Sequence, residues 1–102
     1  MADDMFAGLE EVRKSYLKSL INESEKLLLE AASSSTKETE EQLHIFAHKI
    51  YGSGSSYGYD FVTKTGENIS IALNRRHDLP GALTLVQSLI KELETTLANF
   101  VG

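Results

Sequence analysis

Cysteine and tryptophan are absent from the 102 residues, and proline occurs once, at Pro80. Without cysteine there are no disulfides, no thiolate nucleophile and no cysteine-ligated zinc, a pattern that fits a reducing compartment. Long apolar runs are also missing, and nothing approaches the ~20 residues that a membrane-spanning helix needs. Met1-Ala2-Asp3-Asp4 opens acidic and leads into an amphipathic pattern, unlike the basic and then apolar layout of a secretory signal. Positive charge is scarce: 10 Lys and Arg stand against 15 Asp and Glu, for a formal charge of −5 and a pI near 5.1. Nucleic-acid binding draws on a basic patch that displaces counterions, whereas the basic residues here are largely dispersed, with Arg75-Arg76 adjacent. These absences exclude a membrane-embedded protein and a general nucleic-acid binder. They lead to the expectation of a cytoplasmic protein whose partner is another protein.

What is present is helical periodicity. At 11.3 kDa and 41% hydrophobic residues the chain is one domain, large enough to bury a core without staples. Phe6, Leu9, Val12, Tyr16, Leu20, Leu27 and Ala31 recur at threes, fours and sevens, predicting a first helix over about residues 4–32 that is open to a break near Ile21-Asn22. Ser33-Ser34-Ser35 reads as a loop, and Ser35 with Glu38 forms a capping-box pattern that starts a second helix over about 36–56. Gly58 suits the left-handed residue that closes it, and Asp60 is placed to cap a third helix over about 60–75. Asp78 and Pro80 start a fourth, over about 79–101, carrying Leu83, Val86, Leu89, Ile90, Leu93, Leu97 and Phe100. Four helices with short connections predict an all-α, antiparallel up-down-up-down bundle, expected to be monomeric and, with its initiator methionine, free-standing.

One stretch breaks the helix-forming rule. His48-Lys49-Ile50-Tyr51-Gly52-Ser53-Gly54-Ser55-Ser56 places a histidine on the second helix and follows it with a turn nearly stripped of side chains. Each glycine costs about 1 kcal/mol relative to alanine inside a helix, so something other than local stability favours them. At roughly 100° per residue, Leu43, Phe46, Ala47, Ile50, Gly54 and Tyr57 form the core stripe. His48 then points into water, with Gly52 one turn on and Ser55 nearby, leaving flat access for an approaching protein. Gly54, on the core stripe, is read instead as marking a close approach of two helices or a fraying helix end. Imidazole is nucleophilic and substantially unprotonated at neutral pH, so such a residue can accept a phosphoryl group and return it.

His48, Ile50, Gly52, Ser53 and Gly58 reproduce the order His, hydrophobic residue two later, Gly four later, small residue next and Gly ten later. In this the chain resembles the histidine-containing phosphotransfer (HPt) domain of two-component phosphorelays, and the likeness extends over nearly the whole chain. The resemblance implies a phosphorelay intermediate, a phosphocarrier more than a self-sufficient enzyme, with His48 accepting through its distal ring nitrogen. It implies as partners a receiver domain with a phosphorylatable aspartate, a histidine kinase, or both, with Mg²⁺ bound by the receiver and no cofactor or metal in this chain. Lys49, Tyr51, Gly52 and Ser53 become supporting residues, and His44, Ile45 and Ser55 partner contacts. Ile45 is read equally well as packing against the first helix.

The chain departs from the family at Tyr51, where members usually carry a lysine; Lys49 projects roughly 100° away from His48. Either the Tyr51 hydroxyl replaces the ammonium, or a lysine comes from another helix or the partner, or transfer is weaker. The departure favours the alternative of a helical adaptor that docks a signalling partner without phosphotransfer. Glu41, His44 and His48 also have the spacing of zinc ligands on one helix. Against zinc, His77 is far off in a loop, no fourth ligand is evident, and metal binding leaves the small residues unexplained. Glu38, Glu40, Glu41 and Arg75-Arg76 read as solvated surface.

Overall fold

The computed structural model describes the backbone of residues 2–100 and the side chains of residues 9–100. Four helices follow in order: α1 (Ala2–Ala31), α2 (Thr36–Ser53), α3 (Asp60–Asn74) and α4 (Leu79–Ala98), with one 3₁₀ turn at Ser55–Tyr57 between α2 and α3. Each packs against its neighbours in sequence and α1 also against α4, giving the antiparallel up-down-up-down four-helix bundle. No strand occurs among the described residues, and none of the described helices is long and apolar enough to cross a membrane.

The caps explain most of the boundaries. Ser35 Oγ accepts the Glu38 N–H at 3.2 Å, and Asp78 Oδ1 accepts the Gly81 N–H at 2.9 Å, each satisfying a donor that the first helical turn would leave orphaned. Gly58 adopts φ 86°, the left-handed conformation expected of it. Four expectations are corrected. α1 runs unbroken through Ile21-Asn22, because the helical ladder alone suffices there and no proline or glycine interrupts it. α2 ends at Ser53, three residues early, and just past it the Ser55 N–H bonds Thr63 Oγ1 of α3 at 2.9 Å. Asp60 is not the cap of α3; Tyr59 takes that position without a side-chain bond, and Asp60 lies in the first turn, where its charge suits the positive helix pole. α4 stops at Ala98, where the Asn99 N–H folds back onto the carbonyls of Thr95, Thr96 and Leu97.

Leu17, Leu20, Leu43, Ile50, Val62, Ile69, Val86, Leu89 and Leu93 form the centre of the core. The apolar stripe of α1 differs from the expected one. Leu17 is fully buried, whereas Leu9 and Val12 are 54% and 51% exposed. Leu9 shares the direction of Leu20 but stands where α1 overruns its shorter partners, and Val12 projects roughly 110° from the centre of the buried stripe. Phe6 lies outside the described side chains.

α2 and α3 approach closely because α3 carries Gly66 at the crossing. A Cβ there would stand 2.7 Å from Ala47 O, 2.8 Å from Tyr51 N and 2.9 Å from Ile50 Cγ1. Gly66 follows Val62 and precedes Ile69 and Leu73 on the buried stripe, so the glycine occupies a core position and the backbone of α2 fills the space.

Candidate functional site

His48 is exposed on the outer face of α2, opposite the buried residues Leu43, Phe46, Ala47 and Ile50. Within the described residues, no hydrogen bond or ion pair holds its imidazole. Gly52 is exposed one turn later, and a Cβ built on it would meet nothing within 4 Å. The imidazole is therefore bordered on its C-terminal side by bare backbone. His44 is exposed one turn before it, and Tyr51 is 54% exposed on the flank nearer α3.

The other expected helpers are engaged elsewhere. The Lys49 ammonium forms an ion pair with the Glu23 carboxylate of α1, on the flank of α2 away from Tyr51. Ser53 is half-buried, and its hydroxyl shares a 2.7 Å hydrogen bond with the Tyr16 hydroxyl. Ser55 belongs to the turn: its hydroxyl donates to Asp60 Oδ1 at 3.2 Å. Of the residues assigned to this site, His44, His48, Tyr51 and Gly52 share the open face, while Lys49, Ser53 and Ser55 are tied to neighbouring elements. Ile45, 65% exposed, borders a groove of about 280 Å³ between α1 and α2 that also has Leu27, Phe46 and Lys49 in its walls. Such exposure is more than packing against α1 would leave it.

Residues that sequence reasoning passed over secure the chain just after His48. On the α1 side, Arg13 Nε donates to the Tyr57 carbonyl at 3.0 Å, and its guanidinium lies 4.7 Å from the centre of the Tyr59 ring. Tyr57 stacks on Tyr16 with ring centres 4.0 Å apart. Burial pushes the Tyr16 phenol above its ordinary value of 10.0, against the opposing pull of its bond to Ser53. On the α3 side, Thr63 Oγ1 accepts the Ser55 N–H at 2.9 Å and donates to the Tyr51 carbonyl at 3.2 Å. Arg13 could have been suspected from a charge set beside the expected core stripe; nothing in the local sequence marks Thr63.

Chemically, the arrangement offers two exposed imidazoles one turn apart, His44 and His48, a low surface beside the second and an exposed phenol. Among the described residues, no group of three or more His, Cys, Asp or Glu side chains could hold a metal ion. Comparison with protein-family models, with curated proteins and with solved structures found no match to this chain.

Proposed function

We propose that this protein is a phosphorelay carrier of the HPt kind, working in the cytoplasm as a monomer. The observation that carries the reading is the pairing of a free, outward His48 with Gly52, beside which a side chain would meet only open space. The His48 Nε2 lone pair attacks the phosphorus of an aspartyl phosphate on a receiver domain. A P–N bond forms, the P–O bond to the aspartate breaks, and the carboxylate leaves; the reverse step loads a second receiver. The receiver supplies the Mg²⁺ that neutralises the phosphoryl oxygens, and Tyr51, on the same face, supplies a neutral hydroxyl where an ammonium is usual.

The test is transfer from a phosphorylated receiver to the wild type and to His48→Gln. Acid-labile, alkali-stable label on the wild type and none on the folded variant is the expected result. The engagement of Lys49 by Glu23 and the tyrosine at position 51 favour a second reading, a docking adaptor without transfer. Binding of a receiver with no label appearing across a panel of donors selects that reading.

A further inference from the structure

An uninterrupted α2 would join the Ser55 N–H to the Tyr51 carbonyl four residues back. Here that rung is replaced. The Ser55 N–H donates to Thr63 Oγ1 at 2.9 Å, and the Thr63 hydroxyl donates to the Tyr51 carbonyl at 3.2 Å. One hydroxyl from α3 thus satisfies both halves of a single broken rung. The rung before it is intact, with the Gly54 N–H on the Ile50 carbonyl at 3.0 Å. A side chain inserted into the ladder is among the few physical causes of a helix bend or stop. Gly54 admits it, since a Cβ at that position would lie 2.5 Å from both Thr63 N and Thr63 Oγ1.

The consequence is felt along the His48 face. In a continued helix Tyr59, eleven residues after His48, would return to within about 20° of its direction. After the break, the chain folds back through the 3₁₀ turn, the Tyr59 N–H bonds the Gly54 carbonyl at 2.8 Å, and Tyr59 is only 7% exposed. The outer face past Gly52 is thereby kept low and free of an aromatic ring.

We propose that Thr63 is a positioning residue for the docking surface beside His48, its hydroxyl replacing the Ser55-to-Tyr51 rung so that α2 ends just beyond Gly52. The docking half of this inference rests on the phosphorelay reading; the rung replacement does not. Thr63→Val keeps the shape and removes the hydroxyl, and Thr63→Ser keeps the hydroxyl. In Thr63→Val, Ser55 amide exchange rises about tenfold, on the scale of a lost hydrogen bond. Labelling of His48 by phosphoramidate, a small donor that needs no docking, stays at the wild-type rate. The KM for a phosphorylated receiver rises about tenfold while kcat holds, and Thr63→Ser behaves as wild type in all three assays.

Wild-type Ser55 exchange or wild-type KM in Thr63→Val overturns the proposal, as does a Thr63→Ser protein that behaves like Thr63→Val. If Thr63→Val does not fold, the wild type decides by nuclear Overhauser contacts. A contact between the Ser55 amide proton and Thr63 supports the inserted hydroxyl, and unbroken helical contacts through Tyr57 refute it. Phosphoramidate labelling without transfer from any receiver defeats the phosphorelay reading and the docking role together, while Ser55 exchange still reports on the rung by itself.

Discussion

Gly52 and Gly54 stand two residues apart near the end of α2, and their surroundings are opposite. Beside Gly52 a Cβ would meet nothing within 4 Å, whereas beside Gly54 it would lie 2.5 Å from the Thr63 backbone nitrogen. Gly66 repeats the second case from across the interface, with the Ala47 carbonyl 2.7 Å from where its Cβ would be. Inward, each missing side chain is explained by the facing helix, α3 filling the space at Gly54 and α2 the space at Gly66. Outward, none of the described residues fills it, and the propensity cost of Gly52 has no return in packing among them. Composition alone treats the three alike; it is the presence or absence of a neighbouring backbone that separates a structural glycine from one that leaves access to His48.

Gly66→Ala should break the comparison most severely. The substitution gains about 1 kcal/mol of helix propensity, but the Cβ meets the backbone of α2 at two points, and backbone cannot swing aside as a flexible side chain can. Overpacking costs typically about 1–3 kcal/mol and more where backbone must move. The clash therefore wins, and a net loss of about 2 kcal/mol is expected, lowering Tm by roughly 10 °C in a domain of this size. Thermal unfolding followed by circular dichroism measures it, and an unchanged or raised Tm would show that α2 and α3 have room to part.

Gly52 should answer in the other direction. Gly52→Ala adds a Cβ into open space on a helical backbone and is expected to stabilise the fold by up to about 1 kcal/mol. Gly52→Gln should be at least as stable as wild type while placing a long side chain next to the imidazole, cutting receiver transfer about tenfold or more and leaving phosphoramidate labelling of His48 intact. Destabilisation by alanine would move Gly52 into the structural class. Full transfer by the glutamine variant would remove the case for access.

The contrast also marks what could be read from residue order. The four helices follow from the spacing of apolar residues, and Ser35 and Asp78 announce their caps chemically, because these features are local. The core role of Gly66 was open to the same reasoning, since Val62, Gly66, Ile69 and Leu73 keep the spacing of one helical face. Other features depend on distant pairs. The end of α2 at Ser53 depends on Thr63, and the tie on Lys49 comes from Glu23 in another helix. Leu9 was misplaced because periodicity specifies a direction around the helix but not where neighbouring helices stop, and Val12 because the stripe that is buried centres on Leu17 and Leu20, away from its direction. At the site, the outward direction of His48 and the openness at Gly52 were legible for the same local reason, while the engagement of Ser53 and Ser55 was not.

The smallest effect expected concerns the α1 side of the same helix end, where one hydroxyl pair holds Ser53 beside the Arg13 bond to Tyr57 and the Tyr16–Tyr57 stack. Tyr16→Phe keeps the ring that stacks on Tyr57 and deletes the bond to Ser53, so a loss of about 1 kcal/mol is expected at neutral pH. The pH dependence carries the sharper information. Burial raises the Tyr16 phenol above 10.0 in the folded protein, so between its unfolded and folded values the folded state holds a proton that the unfolded state has released. Its contribution is fully present below pH 10.0 and diminishes as pH rises through the folded value. The gap between wild type and Tyr16→Phe should accordingly narrow in urea titrations carried from neutral pH to above 10, because phenylalanine has no proton to lose. A gap that stays constant across that range would mean that Tyr16 ionises as easily folded as unfolded, and that its position against Ser53 and Tyr57 is less enclosed than the stacked geometry requires.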